Sequence, residues 1–187
     1  APRPEDFSGR IDYRDWTTIT IDGEKAQDFD DALSIKKLAT GHYLLGVHIA
    51  DVSHYVKPGS PLDQEAYLRG TSVYFPDLTL PMLPEKLSND LCSLRPRVPR
   101  LAVSAVIEID ERGNIIQTDF HPSIIQTSER MTYTSVYKIF QGDPEERQRY
   151  SYLLNDLFVM RHLAQVLKAR RLKQGSLDFD LLEAELV

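Results

Sequence analysis

Four aspartates, Asp22, Asp28, Asp30 and Asp31, fall within ten residues of one another. Two carboxylates about 4 Å apart repel by about 4 kcal/mol at an effective dielectric of about 20, so a close cluster needs cations to offset it. A pair of Mg²⁺ ions matches four negative charges with four positive ones, and hard oxygen ligands suit that ion. Such a pair can activate water and stabilise the leaving oxygen of a phosphodiester. The plain alternative is a solvated acidic loop. Phe29, Ala32, Leu33 and Ile35, interleaved with the acids, argue instead for partial burial. A calcium loop of the EF-hand type is excluded, because counting from Asp28 puts Ala32 fifth and Leu33 sixth, where a glycine is required.

Elements on either side must bring these acids together. The β-branched run at 17–22 reads as a strand that delivers Asp22 at its end. After a loop at 23–27, a second strand runs from the acids through Ile35. In an extended chain Asp28 and Asp30 share one face, and Asp31 takes the other unless the backbone bulges. The turn at Thr40-Gly41 leads to 43–50, apolar enough to be a central strand. Ser60-Pro61 has the form of a cap and first helical residue, with Gly70 as the stop. A short strand at 71–75 precedes a proline-rich loop over 76–99. Strands at 102–109 and 114–120 flank Asp110-Glu111-Arg112-Gly113, a hairpin turn. Pro122 predicts an interruption, with 123–127 as a separate bent or edge strand.

A short helix is expected over 134–140. Asp143-Pro144-Glu145-Glu146 then opens a long helix whose apolar positions Leu153, Leu157, Met160, Ala164 and Leu167 recur at helical spacing. Lys168, Arg170, Arg171 and Lys173 crowd its end before Gly175, where the helix dipole favours cations. Residues 1–16 read as a linker or surface-hugging arm, and 17–187 as one unit. Leu186-Val187 lies in an apolar run that reads as a strand, so the polypeptide is expected to continue beyond it. The pattern is α+β, with a curled, mostly antiparallel, barrel-like sheet and flanking helices.

Bulk properties set the outer bounds. At 187 residues the chain suffices for one domain with a sizeable core. Its longest apolar runs are too short to cross a bilayer. A single cysteine, Cys92, excludes an intrachain disulfide and suits a reducing, cytoplasmic setting. The net charge of −6, from 28 acidic and 22 basic residues, is unusual for a nucleic-acid binder. A carboxylate-centred site accounts for part of that excess.

Other chemistry-bearing residues carry competing readings. His48, Asp51 and His54 could be a zinc site, but a histidine inside an apolar strand more simply has a structural hydrogen-bonded role. Tyr74 by itself reads as a core aromatic. Arg95, Arg97 and Arg100 could contact phosphates or be solvated. The basic stretch 168–173 suits a dipole-matched surface, and Cys92, without a partner motif, suits buried packing.

Four blocks together resemble one family. Thr20-Ile21-Asp22-Gly23-Glu24-Lys25-Ala26-Gln27-Asp28-Phe29-Asp30-Asp31-Ala32 is similar to the signature of the RNB family, which includes ribonucleases II and R. His48-Ile49-Ala50-Asp51-Val52-Ser53-His54-Tyr55-Val56, Gly70-Thr71-Ser72-Val73-Tyr74-Phe75-Pro76 and the block at 82–94 are similar to the next three, in order and spacing. Bacterial ribonuclease R is the nearer branch. The resemblance implies part of an RNB catalytic domain, its N-terminal half, and processive hydrolysis of single-stranded RNA from the 3′ end to nucleoside 5′-monophosphates. It implies Mg²⁺ as cofactor, with Mn²⁺ able to substitute. Asp22 and Asp31 would hold one ion, Asp28 would bind or orient the second, and Asp30 would be most essential to the chemical step. Tyr74 would pack against the last nucleotide. The family also uses a second half of the catalytic domain, cold-shock domains and an S1 domain. Two alternatives remain at this stage: a non-catalytic RNA-binding module and an unrelated metal-dependent phosphohydrolase.

Overall fold

The computed structural model describes residues 2–75 and 78–177. Nine strands occur among them: β1 (Ile11–Asp12), β2 (Thr18–Asp22), β3 (Asp31–Lys37), β4 (Tyr43–Ala50), β5 (Val73–Tyr74), β6 (Thr79–Leu80), β7 (Pro99–Ile109), β8 (Ile115–Gln126) and β9 (Glu129–Thr132). The helices are α1 (Val52–Tyr55), α2 (Pro61–Arg69), α3 (Tyr133–Gln141), α4 (Pro144–Arg149) and α5 (Leu154–Lys173). Seven strands form one sheet in the order β1-β8-β7-β4-β3-β2-β9, while β5 and β6 make a separate small hairpin. Only β1 with β8 and β2 with β9 run parallel. The mixed architecture is α+β with a mostly antiparallel sheet, as the pattern predicts. Among the described residues the sheet ends at β1 and β9, so it is not closed into a barrel.

Local signals explain many of the boundaries. The Ser60 hydroxyl accepts from the Asp63 amide at 3.2 Å, Pro61 opens α2, and Gly70 closes it at a φ of 72°. The Asp110 carboxylate accepts from the Arg112 and Asn114 amides and so fixes the β7–β8 turn. Gly113 completes that turn with positive φ, and a Cβ there would press on Val166 of α5.

Two expectations need correction. Strand β8 runs through Pro122 without a break, pairing it with Val103. Strand β1 begins to pair only at Ser123, so β8 is an outer strand at Pro122, where a missing N–H is tolerated. The long helix also starts later than its cap suggests. Asp143 caps α4 by accepting from the Glu145 and Glu146 amides, but α4 ends at Arg149 and a 3₁₀ turn at Ser151–Leu153 precedes α5. Residues 144–149 have no apolar face to bury. Tyr150 and Leu153 are drawn into the core with Ile19, Met131, Ile139 and Leu157, which forces the chain to turn. The apolar run at Leu186-Val187 lies outside the described residues.

Both faces of the sheet are covered. On one, α5 packs Leu163 against Ile35, Tyr43 and Ile109. On the other, the N-terminal arm and the proline-rich loop enclose Phe29, Ala32, Ala50, Leu94, Ala102 and Ile125. The arm is bound tightly. Arg10 pairs with Asp51 at 2.6 Å, both nearly buried, and also donates to the Ala102 carbonyl. Tyr13 is buried, its hydroxyl 2.5 Å from His121 Nε2.

Candidate active site

The acidic segment is anchored by one apolar residue. Phe29 is buried between the exposed Asp28 and Asp30. Its amide donates to the Ser93 hydroxyl at 3.2 Å, and its carbonyl accepts from the Leu94 amide at 2.7 Å. Ser93 in turn donates to the Gln27 carbonyl. The Asp30 carbonyl accepts from the Ala50 amide at 2.9 Å. With the backbone fixed at these points and Phe29 pointing inward, the neighbouring acids face solvent. Strand β3 starts only at Asp31, so Asp28 and Asp30 belong to the approach and not to a shared strand face.

Asp22 reaches the same neighbourhood from β2. That strand pairs with β3 only at Thr18 and Ile19, then stays with β9 as far as Asp22 opposite Thr132. The β2–β3 ladder therefore parts before Asp22 and Asp31. Burial pushes the half-buried Asp22 carboxyl above the usual carboxylate range, and the charges of Asp31 and Asp30 push the same way. Thr20 and the Arg130 guanidinium pull it back only in part. Asp31 is also raised, first by burial and then by Asp30. One Asp22 oxygen, Oδ2, is buried with no hydrogen-bond partner.

Asp28 is placed differently. It lines a cleft of about 520 Å³ with Lys25, Gln27, Tyr74, Glu85 and Asn89. Tyr74 stands on the β5–β6 hairpin and is 68% exposed, so it is no core aromatic. The structure thus couples Asp22, Asp30 and Asp31 electrically and sets Asp28 and Tyr74 on one adjoining cleft. Among the described residues, no three His, Cys, Asp or Glu side chains could hold a metal ion by themselves. The donor set still fits Mg²⁺, which keeps several waters and is usually bound through one or two carboxylates plus substrate phosphates. The buried, unpartnered Asp22 oxygen supports that fit, because such a group is costly unless something satisfies it.

The competing readings resolve by contact. His48 is fully buried between Ser34 and Ser104, at 2.9 and 2.6 Å, and burial holds its pKa down to about 4. Asp51 is engaged by Arg10, and His54 lies 3.4 Å from Asp6, so these three do not form a zinc site. Arg100 is buried, donating to the Ser93 carbonyl and to Asp90, and serves the loop that anchors Phe29. Cys92 is buried and its thiol is pushed up to about 11, as packing requires. Sequence reasoning missed Ser93 and Arg130. Ser93 lies in one of the quoted blocks, but nothing in its type marks it as a brace. Arg130, between Glu129 and Met131 on a four-residue strand, carries no local signal at all.

A sheet that parts beside clustered aspartates, next to a cleft with an exposed tyrosine, meets a defined family: residues 10–187 match the RNB domain, and the chain belongs to the RNB-domain family. It is 50% identical over 179 residues to ribonuclease R 1 of Lactococcus lactis, covering 96% of this chain and 22% of that protein. It superposes with a TM-score of 0.90 on the structure of Mycoplasma genitalium RNase R in complex with ribose-methylated single-stranded RNA, at 33% identity. That match covers all of this chain and 29% of the other, so the chain spans well under a third of these relatives' length. The fold is also shared with yeast Ssd1, a pseudonuclease, at a TM-score of 0.75 and 24% identity.

Proposed function

We propose that this chain belongs to a processive 3′→5′ exoribonuclease that hydrolyses single-stranded RNA to nucleoside 5′-monophosphates with Mg²⁺, or with Mn²⁺ in its place. In this reading residues 17–187 form the N-terminal half of the RNB catalytic domain, with the 1–16 arm docked on it. The second half of that domain, cold-shock domains and an S1 domain complete the whole protein. The observation that carries the reading is the unpartnered, buried oxygen of Asp22 beside Asp31 and Asp30, in a chain of this family. The relative solved with single-stranded RNA supports the choice of substrate.

The residues divide the work by position. Asp22 and Asp31 would hold one cation where β2 and β3 part, and Asp28, on the cleft wall, would bind or orient a second. When bound, the ions activate water and stabilise the leaving oxygen. Asp30 is the acid we assign to the chemical step. Its backbone is fixed by Ala50 and its side chain is exposed, so it can meet the scissile phosphate without strain in the fold. Tyr74 packs against the terminal nucleotide and holds the phosphate near the acids.

A fold by itself does not carry an activity, so the reading rests on the acids. The test is Asp30→Asn in the whole protein. Hydrolysis of single-stranded RNA should fall by orders of magnitude with RNA affinity nearly unchanged, because the change removes help given only in the transition state. Near-normal turnover would overturn the assignment and leave a non-catalytic RNA-binding module as the better reading.

A further inference from the structure

Arg130 lies on β9 opposite Thr20, two residues before Asp22 on the neighbouring strand. Its Nη2 donates to the carbonyls of Gly23 and Glu24 at 2.5 and 3.0 Å, closing the turn that leaves Asp22. The same guanidinium sits 5.4 Å from the centroid of the Phe29 ring, the buried anchor between Asp28 and Asp30. One side chain therefore touches both ends of the segment that spaces the acids. Its charge acts on Asp22, yet among the described residues no hydrogen bond or ion pair joins the two. A direct salt bridge would occupy the lone pairs a cation needs. Here Nη2 donates to backbone carbonyls, while Arg130 Nε and Asp22 Oδ2 are both buried without a hydrogen-bond partner among the described residues.

We infer that Arg130 is a positioning residue for the acidic site, clamping the 23–24 turn and Phe29 so that Asp22 and Asp28 are held at a spacing fit for divalent cations. The inference rests on the reading of Asp22 and its neighbours as cation ligands.

Two consequences of removing Arg130 have opposite signs, which makes the inference testable. Losing a nearby positive charge tightens cation binding, whereas losing the clamp loosens it. The experiment is a titration of the intact protein with Mn²⁺, followed by calorimetry or by the spin signal of free Mn²⁺. Arg130→Met, Arg130→Lys and Asp22→Asn are compared with the unaltered protein, and circular dichroism checks each fold. Arg130→Met should weaken Mn²⁺ binding about tenfold, as loss of a residue supporting a metal ligand commonly does. Arg130→Lys keeps the charge but lacks the flat guanidinium face that lies over Phe29, so it should weaken binding by a smaller factor.

Unchanged or tighter binding in both arginine variants would overturn the inference. If Arg130→Met fails to fold, Arg130→Lys decides alone. Asp22→Asn separates the two levels of argument. Should it leave Mn²⁺ binding unchanged, or should the unaltered protein bind no Mn²⁺, the reading of the site falls and this inference with it. Should it weaken binding while the arginine variants do not, only the role of Arg130 is lost.

Discussion

Protonating His48 should destabilise the sheet that carries the acidic site. The ring is fully buried, and both of its nitrogens meet serine hydroxyls, Ser34 on β3 and Ser104 on β7. Ser104 passes the chain on to Ser123 on β8 at 2.6 Å, so a run of hydrogen bonds centred on His48 links four strands. Gly46 makes room for this arrangement, since a Cβ there would lie 2.3 Å from the Ser34 hydroxyl and 2.7 Å from the His48 ring. Burial, with the charge of His121 adding to it, lowers the imidazole pKa from 6.5 to about 4. An unfolded chain takes up the proton as the pH falls through 6.5, while the folded chain resists until about 4. In that window the unfolded state binds more protons, so stability falls as the pH falls. At about 1.4 kcal/mol per pH unit, the gap amounts to about 3 kcal/mol. That is a large share of a total of about 5–15 kcal/mol.

The assay is urea unfolding at a series of pH values from about 7 down to about 4. His48→Gln serves as the comparison, because it cannot titrate there. Carboxylates titrate in both proteins and largely cancel in the difference. The unaltered protein should lose about 3 kcal/mol more than His48→Gln across this range. If the variant does not fold, the His48 ring can be followed directly by NMR in the unaltered protein. Parallel pH profiles, or a His48 that titrates near its ordinary value in the folded protein, would refute the picture of a neutral, buried ring.

Three further outcomes follow from the same structure. Tyr74→Ala should leave stability within about 0.5 kcal/mol, because the side chain is largely exposed. It should nevertheless cost about 1–3 kcal/mol in binding a short oligoribonucleotide and lengthen the smallest product, and an unchanged product ladder would refute the packing of Tyr74 on the terminal nucleotide. Phe29→Ala should lower stability by about 3–5 kcal/mol and also weaken Mn²⁺ binding, since it frees the acids on either side; thermal unfolding and a metal titration check both, and intact metal affinity would show that Phe29 does not set their spacing. Cys92, with its thiol pushed up to about 11 and buried, should react with a thiol reagent at about pH 8 only when urea opens the protein, and rapid labelling of the folded chain would contradict its placement.

Much of this protein is legible in its sequence because the signals act over a few residues. Ser60, Pro61 and Gly70 delimit α2 through a cap, a preset φ and a left-handed stop, and the structure keeps all three. The β7–β8 turn follows from Asp110 and Gly113 in the same way. The presence of four acids, and the alternation of apolar residues around them, also needs no tertiary information. Their arrangement does. Asp28, Asp30 and Asp31 take their places because Phe29 finds a pocket and Ser93, 64 residues away, receives its amide. Asp22 joins them because β9, 107 residues beyond Gly23, supplies Arg130 to close the turn. The sequence leaves 1–16 open as a linker or a surface-hugging arm, and the contacts of Arg10 with Asp51 and of Tyr13 with His121 fix where it lies. Local capping signals in 143–173 point to one continuous helix, and only the core's demand for Tyr150 and Leu153 divides it. Propensity and capping act between near neighbours, whereas burial and long-range pairing depend on which distant segment arrives to complete the contact, and that is decided only when the whole sheet has formed.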